Sequence, residues 1–182
     1  VPFAGRHAGL RDRARIATSA SWGYLSMLQN WVHWVRRLGF QEFTVIAEDP
    51  KIFRYLQDDS LYIDVVDGPT VVLSCNSSNA LIQSRSHYFD TVGFHALMNR
   101  RASYLQHLLN RWEYVLFSDA DIVWLRNPFN FLVGDSDVEV SIDKLEHKDF
   151  DVYFCPGFML LRNTSATGDM LAEWNTQLRK QS

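Results

Sequence analysis

Four apolar residues, Tyr114-Val115-Leu116-Phe117, run straight into Ser118-Asp119-Ala120-Asp121, and this junction constrains the chain more than any other stretch. A short apolar run of this kind reads as a strand buried on both faces, which belongs in the middle of a parallel sheet. Side chains two apart in an extended segment point the same way, so Asp119 and Asp121 are expected to converge. Two carboxylates at the end of a buried strand repel each other and lose hydration unless a cation sits between them. A hard divalent ion, Mg²⁺ or Mn²⁺, held by one or two carboxylates plus substrate phosphates suits such a pair. The bland alternative is an Asx-type turn with both acids in water. The apolar strand before the pair and Ile122-Val123-Trp124-Leu125 after it weigh against that alternative.

The rest of the chain supplies partners for this strand. Arg15 to Ala20 reads as a first strand ending in small residues. Leu25 to Leu38 carries Leu25, Leu28, Trp31, Val32, Val35 and Leu38 at helical spacing, with Gly39 as a natural stop. Phe43 to Ala47 is a β-branched strand ending at Glu48-Asp49-Pro50, and Lys51 to Leu56 reads as a short helix. Strand, helix, strand, helix is the pattern of an α/β fold with a mostly parallel sheet. Tyr62 to Val66 and Thr70 to Leu73 read as strands around an Asp67-Gly68-Pro69 turn, and Ser74 to Ser86 as loop. A helix over Thr91 to Asn110 places Phe94, Leu97, Met98, Leu105, Leu108 and Leu109 on one side. Val138 to Asp143 alternates like a half-buried strand, and Cys155-Pro156-Gly157 introduces another apolar strand, Phe158 to Leu161. The last helix, Ala166 to Leu178, aligns Met170, Leu171, Trp174 and Leu178, a face that suggests something further packs on it. The expected division is a leading segment, residues 1–14, and one domain, residues 15–182.

Composition narrows the function. The 182 residues are 47% hydrophobic and 21% charged, as in an ordinary globular domain. A net charge of −3 gives no broad basic surface for nucleic acid. Arg6, Arg11, Arg13 and Arg15 are expected to be solvated. No run of eighteen apolar residues is present, so no membrane span is expected, and no signal peptide is visible. The first residue is not Met, which leaves room for an upstream anchor. Cys75 and Cys155 either pair in an oxidising lumen or stay buried thiols, and neither has metal-ligand spacing. Asn76-Ser77-Ser78 and Asn163-Thr164-Ser165 match the N-glycosylation acceptor pattern and lean towards a secretory compartment.

Ligands of open α/β sheets bind outside the carboxyl ends of the strands. Polar residues recur there: Thr18 and Ser19, Glu48 and Asp49, Asp119 and Asp121, and Asp143. Of the two arginines before the acidic strand, the helical stripe puts Arg101 nearer the buried side, where a guanidinium needs a diphosphate or an acidic strand end. No phosphate loop, no Gly-x-Ser-x-Gly and no paired histidines occur. A haloacid-dehalogenase-type phosphatase also uses Asp-x-Asp, but it wants the motif near the N-terminus.

The segment from Tyr114 to Pro128 resembles the Asp-x-Asp signature of nucleotide-diphospho-sugar transferases with the GT-A fold. It is most similar to glycosyltransferase family seventy-seven, which includes plant cell-wall xylosyl- and arabinosyltransferases. The likeness extends over most of residues 15–178: Tyr24 to Leu38 with Phe43 to Asp49, Arg101 with Leu105, Leu108 and Leu109, Ser141-Ile142-Asp143, and Gly157 to Arg162 with the helix near Trp174. Where the family usually has Asn before a small residue and Gly, this chain has Cys155-Pro156-Gly157. Family domains normally continue past the Trp174 helix, bringing a further metal-binding histidine and acceptor contacts, so the resemblance implies a chain lacking its C-terminal part.

The implied fold is a Rossmann-like, mostly parallel sheet flanked by helices. The implied activity is transfer from a nucleotide sugar, a UDP-sugar, to a glycan or glycoprotein, metal-dependent and retaining. The setting would be the Golgi lumen, with a membrane anchor absent from this chain. On this resemblance Asp119 and Asp121 bind Mn²⁺ or Mg²⁺, and Thr18, Ser19, Arg101, Asp119 and Gly157 bind the nucleotide sugar. Asp143, the candidate catalytic residue, faces the donor sugar or the acceptor hydroxyl. A non-catalytic nucleotide-sugar-binding domain is the alternative.

Overall fold

The computed structural model describes residues 9–58, 64–68, 92–145 and 152–181. Six strands form one sheet: β1 (Ala14–Ala20), β2 (Thr44–Ala47), β3 (Asp64–Asp67), β4 (Tyr114–Ser118), β5 (Val138–Leu145) and β6 (Val152–Arg162). Their order is β3-β2-β1-β4-β6-β5. The first four strands in that order pair in parallel, whereas β6 is antiparallel to both β4 and β5. The expected α/β, mostly parallel sheet is therefore present. The chain moves outward from β1 to β3 and then returns to β4 on the other side of β1. That reversal opens a crevice between the carboxyl ends of β1 and β4.

Helices cover both faces. Helix α2 (Leu25–Arg37) buries Leu28, Trp31, Val32 and Val35, and α3 (Pro50–Asp58) buries Ile52 and Leu56. They pack with Ile16, Val45, Leu116 and Leu160 in one core. Helix α4 (Val92–Leu109) sets Tyr104, Leu105 and Leu108 against Ala17, Ile46, Val115, Phe117 and Met159 in a second core. Successive β4 residues thus alternate between two cores, which is why its sequence is continuously apolar. Burying one such Leu, Val or Phe contributes about 1.5–3 kcal/mol. After α2, Gly39 takes φ +86°, a left-handed conformation that suits glycine as a helix terminator.

Several expectations change. A short helix, α1 (Leu10–Arg13), ties Leu10 into the first core. Arg15 is buried, not solvated. Its Nε donates to Thr44 Oγ1 at 2.8 Å, and its Nη2 pairs with Asp64 Oδ2 at 2.8 Å. Thr44 and Asp64 are register partners on β2 and β3, so one guanidinium crosses three parallel strands. Of the strand expected over Tyr62 to Val66, Asp64–Asp67 is described as β3, while Tyr62 and Ile63, Thr70 to Leu73 and Ser74 to Ser86 lie outside the described residues. The apolar run after the acidic pair, which weighed against a solvated turn, is only partly buried: Trp124 is buried, but Val123 and Leu125 are exposed. The final helix, α5 (Ser165–Gln181), packs on α4 with Leu171 and Trp174 inward, while Met170 of the same apolar face is exposed. Among the described residues, no helix is long and apolar enough to cross a membrane.

Candidate functional site

A cavity of about 110 Å³ opens where the carboxyl ends of β1, β2 and β4 meet α4. Ser19, Ser21 and Tyr24 wall it after β1, Glu48 after β2, Arg101 and Met98 from α4, and Asp119 and Asp121 after β4.

The acidic pair does not lie in an extended segment. β4 ends at Ser118, and Ile122 N–H donates to Asp119 O at 3.1 Å, closing a turn over Asp119-Ala120-Asp121-Ile122. Both Asp119 and Asp121 still line the cavity. Asp119 continues the Val115–Phe117 face, the side covered by α4, and there it meets Arg101. Arg101 Nη2 pairs with Asp119 Oδ1 at 2.5 Å, while Nη1 donates to Pro156 O at 3.1 Å. Burial pushes the Asp119 carboxyl up to about 6; Arg101 opposes the rise and Asp121 adds to it. Asp121 is exposed, so the pair has one half-buried, ion-paired member and one open to solvent.

The strand behind this turn is irregular, with a purpose. Register shifts between Val140↔Met159 and Ser141↔Cys155, so Pro156 and Gly157 sit in a bulge of β6. A bulge tolerates proline, which has no N–H to give the ladder, and it re-aims nearby backbone groups. Here the Pro156 carbonyl faces Arg101, and the Gly157 carbonyl accepts Asp119 N–H at 2.7 Å. At the Cys155-Pro156 departure the contacts to Arg101 and Asp119 are thus made by backbone carbonyls. A Cβ on Gly157 would lie 2.7 Å from Asp119 Oδ2. Only glycine lets the two approach this closely.

Of the residues singled out from sequence, Ser19, Arg101, Asp119 and Asp121 share the cavity, and Gly157 backs Asp119. Thr18 does not join them. Strand alternation places it with Ile16 and Ala20 on the α2 side, where it is fully buried and its hydroxyl has no hydrogen-bond partner among the described residues. Asp143 is exposed on β5, two strands out from β4, and is not part of the cavity wall. Arg100 is as buried as Arg101, and its charge reaches Glu48 and Tyr104. Asp49 is structural: its carboxylate accepts from Lys51 N and Ile52 N at the start of α3, and from Trp22 N at 2.6 Å. Cys155 is a free thiol among the described residues, and Cys75 lies outside them. Asn163 is exposed; Asn76 lies outside the described residues.

Glu48 was noted in the sequence only as a polar strand end, yet it lines the cavity and is buried. Tyr104 Oη donates to its Oε2 at 2.5 Å, and Ser19 supplies a second hydrogen bond. Burial raises its carboxyl to about 7, against the lowering effects of Tyr104, Ser19, Arg100 and Arg101. The unfolded value is 4.5, so the folded state holds this proton more tightly. Its contribution to stability is complete below about pH 4.5 and is lost as pH rises through about 7, on the order of 3 kcal/mol. Glu48→Gln is expected to flatten that decline, measured as urea midpoints at about pH 5 and about pH 8. An unchanged pH profile would show that Glu48 does not titrate in this window.

Residues 39–182 match the family model for nucleotide-diphospho-sugar transferases, and the chain belongs to that family. The match removes the basis for the phosphatase alternative. The chain is 26% identical over 185 residues to the UDP-D-xylose:L-fucose alpha-1,3-D-xylosyltransferase 3 of Arabidopsis thaliana, covering 94% of this chain and 46% of that protein. It is 21% identical over 185 residues to the UDP-galactose:fucoside alpha-3-galactosyltransferase of Dictyostelium discoideum, covering 87% and 28%. Similarity to an Arabidopsis thaliana arabinosyltransferase, RRA2, is 29% over 117 residues, covering 64% and 24%. The chain therefore spans about half the length, or less, of the curated relatives it matches.

Proposed function

We propose that this domain is the nucleotide-sugar half of a metal-dependent, retaining glycosyltransferase that moves a sugar from a UDP-sugar to a fucose-bearing glycan or glycoprotein. The observation that carries this is the cluster of Asp119, Asp121 and Arg101 at the sheet's switch point, backed by a glycine with no room for a side chain. The donor set suits Mn²⁺ or Mg²⁺: two hard carboxylate oxygen groups, one of them raised by burial and by its acidic neighbour, which a cation would relieve. Asp121 and Asp119 would hold the ion, and bound there it would neutralise charge on the leaving diphosphate. Arg101 adds a fixed positive charge at the same place, in a site partly shielded from water. Ser19, Ser21 and Tyr24 shape the β1 end of the cleft for the nucleoside. Asp143, exposed and outside the wall, is assigned to the acceptor side.

The UDP donor and fucosyl acceptor are supported by the relatives' names, which share fucose or fucoside and differ in the sugar transferred. Residence in the Golgi lumen, with an anchor outside this chain, is in keeping with the exposed Asn163 acceptor sequence. The test is UDP release by the full-length protein with Mn²⁺ and UDP-xylose, UDP-arabinose or UDP-galactose, with and without a fucoside. Fucoside-stimulated release with one donor is expected. Donor-dependent thermal stabilisation with no release would leave a non-catalytic binding domain, and neither effect would overturn the assignment.

A further inference from the structure

We infer that Ser118 and Trp124 form a clamp that fixes the turn carrying Asp119 and Asp121, which makes Trp124 a positioning residue for the acidic pair. Ser118 is fully buried at the end of β4. Its Oγ accepts the indole N–H of Trp124 at 3.0 Å and that of Trp31 at 3.1 Å, and it donates to Asp119 O at 3.3 Å. A hydroxyl has one donor and two acceptor lone pairs, so this one is fully used. Asp119 O also receives Ile122 N–H. The backbone from Ser118 to Trp124 is therefore closed twice, once inside the turn and once by the indole.

Burial makes the second closure firm. Trp124 is 3% exposed, while Val123 and Leu125 on either side are 42% and 75% exposed. Its ring meets Trp31, Phe40 and Phe158 edge-on at centroid distances of 6.0, 5.7 and 6.0 Å. A buried indole N–H needs an acceptor, and Ser118 Oγ fills that role. Trp31 uses the same oxygen and touches the Trp124 ring, but it belongs to α2, outside the turn, and also packs on Phe43 at 5.4 Å. Losing the Trp31 bond loosens the helix contact. Losing the Trp124 bond frees the turn.

Trp→Phe substitutions keep an aromatic ring and remove only the N–H donor and the larger ring's contacts. For Trp124→Phe, exchange of the Ile122 amide is expected to speed up about five- to tenfold, as the loss of one buried hydrogen bond implies. UDP–Mn²⁺ affinity should weaken by about the same factor, whereas Trp31→Phe should leave both within about twofold despite a comparable fall in thermal stability. Equal behaviour of the two variants would overturn the clamp. In the unmodified protein, the Ile122 amide and the Trp124 indole N–H should exchange through one opening event with the same denaturant dependence. Separate openings would also overturn it, with no variant needed. What the turn holds rests on the nucleotide-sugar proposal, and the two fail separately: absent UDP–Mn²⁺ binding in the unmodified protein sinks that proposal, while amide exchange still decides the clamp.

Discussion

Gly157→Ala is expected to weaken UDP–Mn²⁺ binding about 10- to 100-fold while the sheet remains folded. The added Cβ would fall 2.7 Å from Asp119 Oδ2 and 3.3 Å from Cys155 Sγ, so one of the three must shift. Asp119 is tied through its backbone N–H to the Gly157 carbonyl at 2.7 Å and through its carboxylate to Arg101 at 2.5 Å. Relief must come from swinging the carboxylate out of the cleft or from shifting the β6 bulge. Overpacking of this kind costs about 1–3 kcal/mol, which sets the size of the effect. Calorimetry with UDP and Mn²⁺, paired with circular dichroism, would measure both sides. Full affinity in Gly157→Ala would mean that the observed position of Asp119 is not the one used for binding.

Arg101→Met should be the more disruptive change for stability. It removes a 4%-exposed guanidinium that pairs with Asp119 and also anchors the Pro156 carbonyl. Breaking a buried pair from one side typically costs about 3–5 kcal/mol, and because Asp119 keeps some solvent contact the lower end is expected. The Asp119 carboxyl, already raised to about 6, would lose the neighbour that opposes the rise. A raised acid destabilises the fold once it must ionise, so the loss should be larger at about pH 8 than at about pH 5. Arg101→Lys should recover only part of it, since an ammonium lacks the fork that reaches both partners. Denaturant midpoints at the two pH values test this. A loss independent of pH would remove Asp119 from the explanation.

What could be read from the chain follows the range of the forces involved. The β4 strand and α2 were legible because periodicity and uninterrupted apolar runs are local. The pairing of Asp119 with Arg101 was legible in outline, since a guanidinium on the buried stripe of the preceding helix needs an anion. The turn at Asp119 was not, because part of what stabilises it is the Gly157 carbonyl, delivered by a bulge far along the chain. Arg15 reads locally as one of a basic series, and only the parallel register with Thr44 and Asp64 makes it a core residue. Thr18 and Ser19 look alike in composition, yet strand parity sends one to each face. Trp124 looks like part of an apolar run until its neighbours prove exposed.

Asp121 offers the most direct test of the cleft as a metal–nucleotide site, because it is exposed and replacing it should cost the fold little. Titration of UDP into the unmodified protein and Asp121→Ala, with and without Mn²⁺, should show metal-dependent binding only in the former, with matching urea midpoints. Equal UDP–Mn²⁺ affinity in the two proteins would contradict the assignment of the site.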